Sequence, residues 1–283
     1  MTQATDRTVL ITGCSSGIGE ATAARLVRSG WDVYATARRP ETLSTLADAG
    51  CTTLALDVTD ETSMTTAVDA VLEGAGRIDA LVNNAGYSQS GALESIDVAD
   101  VRRQFETNVF GLIRLTQLVL PTMRQQRSGR IVNIGSMGGK LTFPGGGAYH
   151  ASKYAVEALS DALRFEVAGF GIKVVLVEPG LITTNFEAAV TAAMADYVGG
   201  EGPYADFNAA VMKSTSEAYD GPMARFGGPP EAVARTIEKA LTRKHPKPRY
   251  LVTPSAYGAI AGRRVMPDRV WDLAMKAQFP QPR

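Results

Sequence analysis

Between Ser136 and Lys153 the chain sets Ser136, Tyr149 and Lys153 at a spacing that could move a proton. Tyr149 and Lys153 stand four residues apart at the head of a helical pattern, so one turn, about 6 Å of rise, puts both on one face. An ammonium near a phenol favours the phenolate, whose parent pKa is about 10, and a phenol tuned downward exchanges a proton near neutral pH. Ser136 closes a strand pattern and, with the loop folded back, offers a hydroxyl to an oxygen held by that tyrosine. His150 follows the tyrosine directly and points about 100° away from it on a helix, which assigns it to packing.

Such a trio needs a scaffold that brings it to a ligand. Thr8 to Thr12 (TVLIT) is a β-branched run fit for a buried parallel strand. It enters Gly13-Cys14-Ser15-Ser16-Gly17-Ile18-Gly19 and then a helical stretch, Glu20 to Arg28. A glycine-rich turn from strand to helix lets backbone approach a ligand closely, and the free N–H groups at the helix start suit a pyrophosphate. The glycines fall as GxxxGxG, not as the commoner GxGxxG, and a glycine turn with no ligand is the alternative. Trp31 to Thr36 reads as the second strand, ending in Ala37-Arg38-Arg39-Pro40. An acidic residue there would accept from a ribose 2′-OH and select NAD(H), whereas arginine suits a 2′-phosphate. Arg38 therefore predicts NADP(H) in preference to NAD(H), with Arg39 a solvated neighbour.

The alternation continues. Pro40 to Ala49 reads as a helix, and Cys51 to Leu56 as a strand closed by Asp57-Val58. Asp57 is either an acceptor for an adenine amino group or the cap of the next helix, Asp60 to Gly74, a role for which Asp60 competes. Ile78 to Val82 is a strand followed by Asn83-Asn84-Ala85-Gly86, a turn at the strand end where open α/β sheets bind ligands. Val98 to Met123 is a long helical stretch with Asn108 inside it, either a kink with a polar link or a solvent-facing amide. Gly129 to Ile134 is the strand that delivers Ser136. Tyr149 to Val167 is a helix with an apolar face of Ala155, Ala158, Leu159, Ala162 and Leu163, and Ile172 to Val177 is a strand closed by Glu178-Pro179-Gly180. This order predicts an α/β fold, a Rossmann-type doubly wound parallel sheet in three layers, as one domain over residues 1–283.

Residues 181–230 change texture and predict an inserted helical lid. Its Phe186, Met194, Tyr197, Tyr204, Phe207, Met212, Tyr219, Met223 and Phe226 predict an apolar substrate pocket, with Tyr87 and Met137 as further lining or plain core. Glu231 to Thr242 is a helix and Arg249 to Thr253 a last strand. The tail over 256–283 mixes Arg263, Arg264 and Lys276 with Trp271, Leu273 and Met275. Packing on the lid or on a second subunit is its first reading, and a peripheral membrane contact its second.

Composition narrows the classes. Lys+Arg and Asp+Glu are both 29, so no charge excess calls for nucleic acid. No run approaches the ~20 apolar residues of a membrane span, and the opening MTQATDRTVLITG lacks the apolar core of an export signal, which predicts a cytoplasmic protein. Cys14 and Cys51 are then expected as free thiols. The two histidines, His150 and His245, lie in no metal-ligand spacing and argue against a Ser-His hydrolase as well. Gly135-Ser136-Met137-Gly138 lacks the leading glycine of a nucleophile elbow, because Ile134 stands there.

With these pieces in order, the chain resembles the short-chain dehydrogenase/reductase family in its shorter, NAD(P)-using branch, from Thr8 to about Thr184. The carrying residues are Thr12 to Gly19, Asp57-Val58, Asn83 to Gly86, Asn108, Ser136, Tyr149 with Lys153, and Pro179-Gly180 with Ile182 and Thr184. The text around them (VYATARRP, GAYHASKYAVEALSDALR, VEPGLITTNF) is most similar to the 17β-hydroxysteroid and retinol dehydrogenases. The resemblance implies Tyr149 as acid/base, Ser136 polarising the substrate oxygen and Asn108 holding a relay water. Lys153 would bond the nicotinamide ribose, and Asn84 would fasten the cofactor-side loop. Pro179, Gly180, Ile182 and Thr184 would frame the nicotinamide. It implies interconversion of a small-molecule alcohol and ketone, on a steroid-, retinoid- or polyketide-like substrate, by a homodimer or homotetramer. A non-catalytic NADP-binding sensor or scaffold is the alternative, against which the intact Ser136, Tyr149 and Lys153 argue.

Overall fold

The computed structural model describes residues 7–184, 186–198 and 201–282, with the side chains of 186–189 and 196 left aside, so the pocket role of Phe186 lies outside the described residues. Strands and helices alternate as the pattern predicts. The strands are β1 (Thr8–Ile11), β2 (Asp32–Ala37), β3 (Thr52–Ala55), β4 (Ala80–Asn83), β5 (Gly129–Ile134), β6 (Ile172–Pro179) and β7 (Arg249–Val252). The helices of the body are α1 (Gly17–Arg28), α2 (Ser44–Asp48), α3 (Glu61–Ala75), α4 (Val98–Phe105), α5 (Gly111–Gln125) and α6 (Gly147–Glu166). They are followed by α7 (Phe186–Met194), α8 (Ala205–Asp220), α9 (Pro230–Thr242), α10 (Pro254–Val265) and α11 (Asp268–Gln278).

Among the described residues the strands form one sheet in the order β3-β2-β1-β4-β5-β6-β7, every neighbour parallel. Side chains alternate across a strand, and β1 shows the consequence. Val9 and Ile11 enter one core with Leu26, Val132, Val175 and Ile237, whereas Leu10 enters the other with Val71, Leu81, Leu115 and Ile131. Strand order reverses between β1 and β4, and a crevice opens there at the strand ends.

Local chemistry sets several boundaries. Asp60, not Asp57, caps α3 by accepting from Ser63 N at 2.6 Å, and Gly76 ends that helix at φ 69°. Pro40 to Ala49 is not a single helix: a 3₁₀ turn over Pro40–Leu43 precedes the five residues of α2. Between α4 and α5 the turn Glu106–Phe110 widens to a π-helix, and Asn108 within it is buried, which rules out the solvent-facing reading. On α6 the expected apolar face is also corrected. Ala158 and Ala162 are exposed, while Ser152, Lys153, Val156, Glu157 and Ser160 face inward. The inward polar groups are hydrogen-bonded there, Ser152 with Asn108, Ser160 with Asn133 and Lys153 with Ile134 O, which is why the amphipathic pattern misleads.

The segment expected as a lid carries α7 and α8. Met194, Val190 and Val211 form a small core of their own with Phe279 from the tail, so the tail packs on the lid. Gln278 Nε2 donates to Ser214 Oγ at 2.9 Å on the same seam. Tyr197 and Tyr204 latch the lid to the body through Asp100 and Glu94. Met223 and Phe226 lie exposed instead of lining a pocket. No described helix is long and apolar enough to cross a membrane.

Candidate active site

A cleft of about 860 Å³ runs along the strand ends. Gly13, Ser15, Ser16, Gly17 and Ile18 line it from the β1–α1 turn, Arg38 from the end of β2, and Asp57 and Val58 from the end of β3. Asn84, Ala85 and Gly86 join from β4, Ser136 from β5, Tyr149 and Lys153 from α6, and Pro179, Gly180, Ile182 and Thr184 from β6. Met137, Phe143, Leu181, Tyr87 and Tyr219 also line the wall, and among the described residues Tyr219 is the one contribution from the series expected of the lid. Gly19 and Asn108 stand behind the wall, not in it.

The floor of the cleft is tied together by Thr12. Its Oγ1 accepts from the backbone N–H of Asn84 and of Ala85, both at 3.0 Å. Asn84 Nδ2 returns two bonds, to Thr12 O at 2.8 Å and Gly13 O at 3.0 Å. Gly19 explains its own identity: a Cβ there would lie 2.2 Å from Gly13 O and 2.6 Å from Asn84 Nδ2. Ser16 caps α1 in extended conformation with no side-chain cap bond, which leaves the first-turn N–H groups directed at the cleft. Those donors and the glycine backbone fit a dinucleotide pyrophosphate, and Arg38 on the same wall fits a further phosphate. Asp57 accepts from Thr59 N at 2.9 Å and Thr59 Oγ1 at 2.7 Å, an arrangement that fixes its carboxylate at the cleft edge.

At the other end, Tyr149 is hydrogen-bonded to Ser136. Enclosure raises the phenol above its ordinary value of 10.0, and the bond to Ser136 works against that rise. Lys153 is buried, its Nζ lies 5.9 Å from the Tyr149 ring centroid, and it donates to Ile134 O at 2.9 Å. Burial lowers it from 10.5 to about 8, opposed by the charge of Glu157. Asn108 Nδ2 donates to Tyr87 O at 2.9 Å and Ser152 Oγ at 3.0 Å, and Ser152 Oγ donates to Tyr149 O at 2.7 Å. The widened turn is thus bonded to the backbone of the tyrosine.

His150 holds the loop that carries Ser136. Its Nε2 accepts from Phe143 N at 3.1 Å, so the proton sits on Nδ1 and is donated to Gly138 O at 2.9 Å. Gly138 N in turn donates to Ser136 Oγ at 3.0 Å. Burial lowers the histidine pKa, against the bond to Gly138, which keeps this tautomer neutral. Sequence reasoning assigned His150 to packing, named Thr12 and Glu178 only as parts of their motifs, and passed over Ser152 and Glu157. A serine one turn from a tyrosine carries no spelling of its own, and nothing in the spelling joins the two glutamates.

Among the described residues no group of histidines, cysteines and carboxylates could hold a metal ion, and Cys14 and Cys51 are buried free thiols. Burial drives both thiols up, Cys14 to about 12 and Cys51 to about 11, which makes them inert.

Residues 7–195 match the family model for short chain dehydrogenases. The uncharacterized oxidoreductase YbbO of Escherichia coli (strain K12) is 39% identical over 271 residues, covering 95% of this chain and 94% of that protein. The NADPH-dependent 3-dehydrocapnine reductase of Ornithobacterium rhinotracheale is 32% identical over 275 residues, covering 94% and 95%. A crystal structure of a short-chain dehydrogenase from Streptomyces avermitilis superposes with a TM-score of 0.79 at 36% identity, covering 98% of this chain and 97% of that one. The chain therefore belongs to the short-chain dehydrogenase/reductase family, as an NAD(P)-binding oxidoreductase of alcohols and ketones.

Proposed function

We propose that the protein is an NADP(H)-dependent enzyme interconverting a lipophilic secondary alcohol and its ketone, with Tyr149 as acid/base. The carrying observation is the unbroken cleft from Arg38 to Tyr149, continued by Met137, Phe143 and Leu181. The bound dinucleotide supplies or accepts the hydride. Arg38 meets the 2′-phosphate, and the turn from Gly13 to Gly19 receives the pyrophosphate. In reduction, Tyr149 Oη gives its proton to the carbonyl oxygen while Ser136 Oγ donates a hydrogen bond to the same oxygen. The Lys153 ammonium stabilises the phenolate left behind, and Asn108 anchors the route by which the proton is restored. Oxidation runs the same steps backward.

Apolar residues beyond the tyrosine favour a bulky hydrocarbon skeleton of steroid, retinoid or polyketide type, in line with the 17β-hydroxysteroid and retinol dehydrogenases that the sequence resembles. The exposed Phe110, Tyr154 and Phe165 support a homodimer or homotetramer. The test is consumption of NADPH or NADH, followed by absorbance, over a panel of such ketones. Tyr149→Phe is expected to lose at least ~10²-fold in kcat with nucleotide affinity retained. Arg38→Ala is expected to raise KM for NADPH by about tenfold and leave KM for NADH nearly unchanged. A Tyr149→Phe variant as active as wild type overturns the assignment.

A further inference from the structure

Behind Lys153, on the side away from the cleft, lie two buried carboxyl groups: Glu157, one helical turn further along α6, and Glu178, at the end of β6 directly before Pro179. Both stand beside the same two cations, Lys140 and Arg249. Glu157 Oε1 and Glu178 Oε1 are fully enclosed and have no hydrogen-bond partner. Ionised carboxylates only accept, so two enclosed oxygens without a donor, beside shared cations, call for a proton held on this pair. The cations around them stand nearer to Glu157 than to Glu178. Lys140 Nζ lies 2.5 Å from Glu157 Oε2 but 4.0 Å from Glu178 Oε1, and Arg249 lies 3.3 Å from Glu157 Oε2 and 3.7 Å from Glu178 Oε1. Arg249 is shared besides with Asp161, which also holds Arg164. Glu157 also touches the catalytic loop. A Cβ at Gly139 would stand 2.9 Å from Glu157 Cγ, and one at Gly135 3.3 Å from Glu157 Oε1.

We propose that Glu157 and Glu178 share one proton and so present a single negative charge to Lys153, making Glu157 the positioning residue that keeps the catalytic ammonium charged. The idea rests on the role given above to Lys153 as partner of Tyr149. Glu178 acts as a neutral carboxylic acid that directs the charge onto Glu157 and ties α6 to the strand end bearing Pro179 and Gly180. Burial holds Glu178 up to about 8, reinforced by the neighbouring Glu157, and Glu157 is the charge that opposes the lowering of Lys153.

The two glutamates have different expected effects. Lysine ¹³Cε titration of the ligand-free protein, with the Lys153 signal assigned by its loss in Lys153→Arg, reads the ammonium without any substrate. Glu157→Gln is expected to lower the Lys153 midpoint by about one pH unit and to move the alkaline limb of kcat/KM the same way. Glu178→Gln, which imitates the protonated acid, is expected to leave both nearly unchanged. An unmoved Lys153 in Glu157→Gln, or an equal shift in Glu178→Gln, overturns the proposal. Should Glu157→Gln not fold, a ¹³C-carboxyl titration of wild type decides. One glutamate, absent from Glu178→Gln, must keep its proton to about pH 8, and its absence overturns the proposal. Because the titrations need no turnover, a failure of the reaction assignment stays separable from a failure of this one.

Discussion

Burial acts on Tyr149 and Lys153 in opposite directions, raising the phenol and lowering the ammonium, so both are pressed toward the uncharged form. The trio was legible from spelling because each member needs its own functional group at a fixed distance along one strand end and one helix turn. Glu157 and Glu178 were not legible, since a glutamate on a helix and another at a strand end show no link until their neighbours in space are known. Glu178 carries a testable signature in stability. Its folded pKa is raised from 4.5 to about 8, so between these values the folded chain keeps a proton that the unfolded chain has released. Stability then falls as pH rises through that window. The melting temperature of Glu178→Gln relative to wild type is expected to climb from about pH 5 to about pH 8, as followed by thermal denaturation in matched buffers. A difference that stays flat counts against a protonated Glu178.

Elements, more than side chains, fix the nucleotide end. The β1–α1 turn was readable because glycine is the only residue that permits the close approach seen at Gly19, whose missing Cβ leaves room for Gly13 O and Asn84 Nδ2. A Gly19→Ala variant must push the turn away from Asn84. It is expected to unfold several degrees earlier and to lose at least about tenfold in NADPH affinity, read by calorimetric titration and thermal melts. The π-helical turn at Glu106–Phe110 was only half legible. An asparagine inside an apolar helix signals a local irregularity, but the extra residue in the turn is set by Tyr87 and Ser152, which are remote in sequence. On α6 the alanine-rich stripe was misleading, because the inward face is polar and bonded to groups remote in sequence, Asn108 and Asn133 among them.

At the scale of the whole molecule the parallel sheet was the most legible feature. Strands buried on both faces must be apolar throughout, and their crossovers must be helices, so the order of elements alone constrains the architecture. The lid was legible as an insertion but not in detail, since its aromatic residues serve the lid's own small core and its latches as much as the cleft. Phe279 sets the seam between lid and tail, buried against Val190, Met194 and Val211. Phe279→Ala is expected to remove about 3–5 kcal/mol of packing there. The loss should appear as faster amide exchange in α7 and α8 while the sheet stays protected, and uniform exchange across the molecule would show that lid and sheet unfold as one.

Thr12 receives the amides of Asn84 and Ala85, and Asn84 answers to the carbonyls of Thr12 and Gly13, so two neighbouring strand ends are cross-stitched by protein atoms alone. That part of the cavity is rigid before any visitor arrives. Nucleotide should therefore dock there at a rate set by diffusion and charge instead of by loop rearrangement, and adaptation to different guests should fall to the far wall around Phe143 and Tyr219.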